Sequence, residues 1–268
     1  MQIIQSKLLN HNCELLYGFT NKDDGNLAFH VGDDKKSVLL NHQAVADRLS
    51  YNRETLVHMK QIHGADVKVI TSSDNFEHPP SCDGIITDRK DTPLMVMVAD
   101  CAPMLFFDRK KGVIAAVHAG RAGAFKNIIN STLEAFTDDF GSSLKDIHVT
   151  VGANIKSCCY EVGAEIYEEA NSLSLEYALQ KRGKKYRLDV NTILKKQLFA
   201  AGLRETQFEF SETCTACDTE HYYSYRAEGT TGRFAGIIML SSYSNTPRTC
   251  FPVGLDEQLI PTEPLLPQ

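Results

Sequence analysis

Residues 94–123, LMVMVADCAPMLFFDRKKGVIAAVHAGRAG, hold three short apolar runs, LMVMVA, MLFF and VIAAVH, separated by Asp, Pro, Gly and charged residues. Apolar runs of this length, bounded by turn formers, read as β-strands. TLVHM (55–59), VKVI (67–70) and GIIT (84–87) have the same character upstream, so the middle of the chain is sheet-dominated. Helical patterns flank it. SVLLNHQAVADRL (37–49) is one; after His118, Phe125, Ile128, Ile129, Leu133, Phe136 and Phe140 keep a three/four spacing that predicts an amphipathic helix starting at the Gly120–Gly123 turn. IHVTVGA (147–153) reads as a strand, VGAEIYEEAN (162–171) and NTILKKQLFAAG (191–202) as helices, and FAGIIML (234–240) as a buried strand. KRGKKYR (181–187) reads as solvated surface, and the Pro-rich stretch from Asn245, within 246–268, as an extended tail.

No repeat or low-complexity linker divides the chain, which predicts one catalytic domain over 1–245. With 268 residues, 43% of them hydrophobic, a sizeable core is available. A net charge of -6 argues against a general nucleic-acid binder, whose phosphate contacts need clustered cations. No secretory-type start and no apolar run approaching a membrane span are present, so the expectation is a cytoplasmic protein, a monomer or a small homo-oligomer such as a homodimer. In a reducing compartment the eight Cys are to be read as buried, metal-bound or catalytic rather than paired.

Three of the chain's residues form one soft-metal ligand set: His63 in QIHGAD, Cys101 in VADCAPM and His118 in AAVHAGRAG. Zinc takes imidazole and thiolate, and three protein ligands leave a fourth position for water or substrate. Separations of 38 and 17 positions (101 minus 63, 118 minus 101) make no short regular motif, so it is the surrounding blocks that nominate these residues.

QIHGADV, CDGIITD, VADCAPMLFFD, AAVHAG, GANIKSCCYEVG, LDV (188–190) and YYSYRAEGTTGRFAG, taken in order over roughly residues 18–240, resemble the YfiH-type family. That family is described both as a laccase-like polyphenol oxidoreductase and as a metal-dependent purine nucleoside phosphorylase. The resemblance implies an α+β fold, a four-layer α/β/β/α domain, with zinc on His63, Cys101 and His118. It also implies phosphorolysis of adenosine, inosine, guanosine and methylthioadenosine, with adenosine deamination as a second activity and a link to peptidoglycan precursor editing in bacterial relatives. Asn26 in GNLAFHVGDD resembles a pocket residue of the family. Two blocks depart from its pattern. HAGRAG replaces the usual HAGWRG, putting Arg121 at the Trp position and Ala122 at the Arg position; SYRAEG keeps Arg226 but has Ala227 where a second Arg is usual.

Deamination at C6 of adenine needs an activated water and a carboxylate to shuttle the proton; Asp83, Asp100 and Glu161 are the candidates. Phosphorolysis needs an anion site, for which Arg121, Arg226, Arg233 and the peptide N–H groups of the Gly120–Gly123 turn qualify. The expected partners are thus a purine nucleoside and phosphate, and the expected metal is zinc, with copper as the alternative. A four-copper oxidase is disfavoured, because nine His with no His-x-His pair do not supply a three-copper cluster. A metal-free alternative pairs Cys101 with His118 as a thiol hydrolase, with the backbone near Gly120 as oxyanion hole; a ligand-binding protein without turnover is the third. The adjacent Cys158 and Cys159 could form a second soft site or pack beneath the helix start, with packing favoured for Cys158 and pocket lining for Cys159; Cys214 and Cys217, a lone C-x-x-C, are weak evidence for structural zinc and read rather as a loop thiol pair without metal. His30, His42, His58, His78, His148 and His221 read as ordinary polar positions.

Overall fold

The computed structural model describes residues 8–9 and 14–242. In chain order the elements are β1 (Leu15–Phe19), α1 (Lys35–Leu49), β2 (Val67–Val69), β3 (Gly84–Thr87), β4 (Leu94–Val98), β5 (Ala102–Asp108), β6 (Val113–Ala119), α2 (Arg121–Phe125), α3 (Ile128–Glu134), β7 (Ile147–Val151), β8 (Glu161–Val162), α4 (Ala164–Ser172), β9 (Leu179–Arg182), β10 (Lys185–Leu188), α5 (Val190–Ala200), β11 (Phe208–Phe210), α6 (Tyr225–Glu228) and β12 (Phe234–Leu240). They build a three-stranded sheet β1-β12-β4, a six-stranded sheet β11-β7-β5-β6-β3-β2 and a small sheet β8-β10-β9.

The two larger sheets pack face to face between helices, because their strands are apolar on both sides. In β5, Met104 and Phe106 point to the helical side, where they join Ile128, Ile129 and Leu133 of α3 and Ile193, Leu194 and Leu198 of α5. Leu105 and Phe107, one residue out of phase, fill the space between the sheets with Val96 and Val98 of β4 and Ile238 of β12. The other faces of β4 and β12, through Met95, Met97 and Ile237, meet Val45, Ala46 and Leu49 of α1. The resulting order is helix, sheet, sheet, helix, the α/β/β/α arrangement of an α+β fold. It also explains why the runs in 94–119 lack polar alternation: every residue of β4, β5 and β6 is buried.

Three sequence expectations change. TLVHM is not a strand; Val57 makes only an isolated bridge to Leu94, while its neighbours turn away into loop. The helix expected after His118 is broken in two at Asn127, whose φ of 58° lies in the left-handed region and whose side chain caps α3 by accepting from the Asn130 N–H. After α3 the chain widens into a π-helical turn over Ala135–Asp139. KRGKKYR is exposed as expected, but it is an ordered hairpin, with Arg182 paired to Lys185 across Gly183. The tail expected over 246–268 lies outside the described residues. No helix among those described is long and apolar enough to cross a membrane.

Phe106 has no exposed surface and packs against Phe136 with ring centroids 6.2 Å apart, joining sheet to helical layer. Phe106→Ala is expected to cost about 3–5 kcal/mol, read as a fall in the urea midpoint with little change in slope.

Candidate metal centre

Four strand ends meet at one edge of the six-stranded sheet. β6 ends there and the antiparallel β5 begins there, so Pro103 lies opposite His118, with Cys101 just before β5. β3 runs antiparallel to β6 and parallel to β2, which puts Asp83 and the His63 loop at the same end. The topology thus brings together side chains far apart in sequence. One ligand atom each from His63, Cys101 and His118 lies within 4.8 Å of the others, and the two imidazoles stand edge to face with centroids 5.0 Å apart.

Asp83 organises this group. Fully buried, it accepts the Nδ1–H of His118 through Oδ1 at 2.8 Å, and the peptide N–H groups of Ile62, His63 and Gly64 at 3.3, 3.0 and 2.6 Å. The first bond fixes the His118 tautomer and turns Nε2 toward Cys101 and His63. The other three hold the His63 loop, in which His63 itself has φ 56°, a conformation that costs a non-glycine residue unless its surroundings enforce it. Burial opposes the charge of Asp83, but His118 and the N–H groups outweigh it and keep the carboxyl below its usual range. Asp83 thus stands behind His118 and is not among the residues that line the cavity.

Burial would raise the Cys101 thiol, yet the His118 and His63 rings beside it pull it well below the ordinary thiol range. His118 moves the other way: burial disfavours its charge, and Cys101 and Asp83 more than compensate. A thiol held ionised next to two imidazoles, one already oriented by a carboxylate, suits a soft divalent ion. Gly120 is required at this point, since a Cβ there would lie 2.8 Å from the Cys101 sulfur.

The trio opens into a cavity of about 860 Å³. Its walls include Phe29, Met97, Ile155, Tyr160 and Tyr225, together with Asp100 and the three arginines Arg121, Arg226 and Arg233. Arg226 stacks over Tyr160 with its guanidinium 5.3 Å from the ring centroid. Arg121 pairs with Glu169 at 2.6 Å and lies over Phe125. Arg233 donates to the carbonyls of Thr231 and Gly232. Asp100, with φ 92°, accepts from the Thr215 hydroxyl at 2.7 Å and the Arg226 N–H at 2.6 Å, bracing the turn that presents Cys101.

Two expected site residues stand elsewhere. Glu161 lies outside the cavity in β8, paired with Lys185 at 2.5 Å; that partner lowers its carboxyl pKa and holds it on the surface. Asn26 is buried beneath the wall, accepting from the N–H groups of Ala28 and Arg233 at 2.9 Å and so fixing the backbone of Arg233. Conversely, His30 and His58, read from the sequence as ordinary polar positions, line the cavity, as do Phe29, Tyr160 and Tyr225. An aromatic or a lone imidazole has no spacing signal that separates wall from core.

A family model described as multi-copper polyphenol oxidoreductase laccase matches residues 18–241. The chain belongs to this laccase-like family. Among its relatives, a purine nucleoside phosphorylase of Corynebacterium glutamicum is 36% identical over 80% of this chain and 86% of its own length. The purine nucleoside phosphorylase YlmD of Geobacillus stearothermophilus is 32% identical over 80% of this chain and 82% of its own. A solved structure of the Bacillus licheniformis hypothetical protein YfiH superposes with a TM-score of 0.81, at 29% identity, over 85% of this chain and 93% of that one. The laccase-like family thus includes chains that carry a phosphorylase name.

If Asp83 sets the tautomer and loop, Asp83→Asn should weaken zinc binding by about 10–100-fold in chelator competition. Gly120→Ala should do at least as much, because its Cβ displaces the sulfur; unchanged affinity in both would remove the positioning role.

Proposed function

We propose that this chain is a metal-dependent purine nucleoside phosphorylase that uses zinc on His63, Cys101 and His118 and accepts adenosine, inosine, guanosine and methylthioadenosine. The observation that carries this reading is the pairing of a soft three-ligand group with a cavity whose wall combines aromatic faces and arginines. A purine is flat and apolar on its faces, so Phe29, Tyr160 and Tyr225 suit it; phosphate is a dianion that guanidinium groups bind in fixed geometry. The phosphorylase names of relatives above 30% identity support the same reading.

Bound zinc would supply Lewis acidity for the developing negative charge, or lower the pKa of a bound water. In phosphorolysis a phosphate oxygen forms a bond to the anomeric carbon while the glycosidic C–N bond breaks, and the purine leaves with the electron pair. Arg226 and Arg233 hold the attacking anion in this scheme, and the stacked Tyr160 keeps the Arg226 plane in place. Adenosine deamination is proposed as the second activity; of Asp83, Asp100 and Glu161 only Asp100 is on the cavity wall, and the proposal gives it the proton transfer in addition to its bracing bonds from Thr215 and the Arg226 N–H, which hold the carboxylate in place.

A second reading has its own observation. Asp83, His118 and Cys101 stand in a row, with the carboxylate on Nδ1 and the thiol on the far side of the ring, the order of a cysteine nucleophile with its base and orienting acid. His63 has no task in that scheme. The four-copper oxidase that the family's description suggests finds no support in the ligands: among the described residues the two clusters able to hold a metal contain only two histidines between them.

Incubation with adenosine and phosphate should release adenine and ribose 1-phosphate, and His118→Ala should reduce turnover by at least about 100-fold. Arg226→Ala should raise KM for phosphate about tenfold or more with a smaller effect on nucleoside KM. Chelation that abolishes turnover and zinc that restores it would fit the proposal. Turnover that survives complete metal removal and is lost only on thiol alkylation would transfer the reading to the cysteine nucleophile.

A further inference from the structure

Of the six described cysteines only Cys101 lines the cavity; Cys82 is buried in the core, and the other four take no part in the chemistry above. Cys158 and Cys159 come from one tight turn, in which the Lys156 carbonyl accepts from the N–H groups of Cys159 and Tyr160 at 3.0 and 2.9 Å. Cys214 and Cys217 come from another, in which the Cys214 carbonyl accepts from Cys217 and Asp218, both at 3.1 Å. The turns face each other. All four sulfurs lie within 4.8 Å of one another, with Cys217 at 3.5 Å from Cys158 and 3.3 Å from Cys159. The sequence expectation of a packed Cys158, a pocket-lining Cys159 and a separate loop pair is therefore corrected: the four make one cluster.

These separations are too long for a disulfide, whose sulfurs sit about 2.0 Å apart, and close to the roughly 3.8 Å between ligands of a tetrahedral ion with 2.3 Å metal–sulfur bonds. The Lys156 N–H also points at the Cys214 sulfur at 3.4 Å, a contact that favours a thiolate. We propose that Cys158, Cys159, Cys214 and Cys217 form a second metal site, a closed tetrathiolate that binds one zinc ion in a structural role. Binding releases four thiol protons to solvent and forms four zinc–sulfur bonds, with no change in oxidation state and no open position for substrate.

The location gives the ion its task. The first turn continues from Ile155 to Tyr160, both in the cavity wall; the second contains Thr215, whose hydroxyl holds Asp100 beside Cys101. Lys156 already links the two segments, donating to the Ser211 carbonyl at 2.6 Å. A tetrathiolate clamp would fasten the wall and the Asp100 brace as one unit, at a site separate from the histidine-bearing trio and independent of the reaction assigned there.

The test uses the full chain. Wild-type protein purified with zinc should carry about two ions per chain, and His63→Ala/His118→Ala about one. Cobalt loaded into that double variant should show the intense red absorption and sulfur charge-transfer bands of a tetrathiolate. In the wild type, which requires no variant to fold, alkylation mapped by mass spectrometry should spare all four cysteines until a chelator is added. Cys214→Ser/Cys217→Ser should lose one ion and melt lower. The site is refuted if the His63/His118 variant binds no zinc, if cobalt gives no thiolate bands, if the four thiols react freely in zinc-loaded protein, or if they are isolated as disulfides.

Discussion

One buried carboxylate ties the metal centre to the fold. An isolated anion in the protein interior is costly, several kcal/mol even after relaxation, and is tolerated where hydrogen bonds replace its water. Asp83 receives three consecutive peptide N–H groups and one imidazole N–H, and its own carbonyl accepts the His118 N–H at 2.7 Å. The same side chain therefore stabilises its charge, the left-handed His63 and the orientation of His118. Removing it would release two of the three ligands at once, which is why a residue that touches no substrate governs the site.

Asp100 repeats the device on the third ligand. It also sits in a left-handed conformation, its carboxylate is held by Thr215 and the Arg226 N–H, and its carbonyl accepts from Ile155 at 2.9 Å. Strained backbone next to two ligands, each enforced by a carboxylate drawing on distant segments, is a costly arrangement that an inert loop does not need. It makes the geometry of the site a consequence of tertiary structure.

How much of this could be read in advance follows from the range of the signals. The strands of 84–119 and 234–240 were readable because burial on both faces leaves an uninterrupted apolar run, and the ligand trio because each member sits in a recognisable block. The break at Asn127 was hidden, since the apolar spacing continues across it while the packing of α2 and α3 changes direction. Glu161 sits two residues from Cys159 in a familiar block, yet strand β8 turns it outward to Lys185. The cysteine cluster joins residues 55 or more positions apart (214 minus 159), a contact made by the meeting of two loops and invisible to either loop alone.

The departures from the family pattern fall on the anion side of the cavity and can now be weighed separately. Arg121, one position before the expected Arg, lines the cavity while its guanidinium pairs with Glu169 at 2.6 Å and lies over the Phe125 ring. Ala227 offers no second cation beside Arg226. The other two arginines of the wall are Arg226, stacked on Tyr160, and Arg233, whose N–H is fixed by Asn26. His30 adds a fourth group to that wall, and burial together with Arg233 holds it neutral over a wider pH range than a free imidazole. If the cavity takes phosphate as proposed, fewer cations on its wall would lower the affinity and place more of it on Arg226, stacked on Tyr160. His63, Cys101, His118 and the carboxylate of Asp83 are untouched by these exchanges, so under the proposed function the departures bear on the anion and nucleoside side of the cavity and not on the three-residue group.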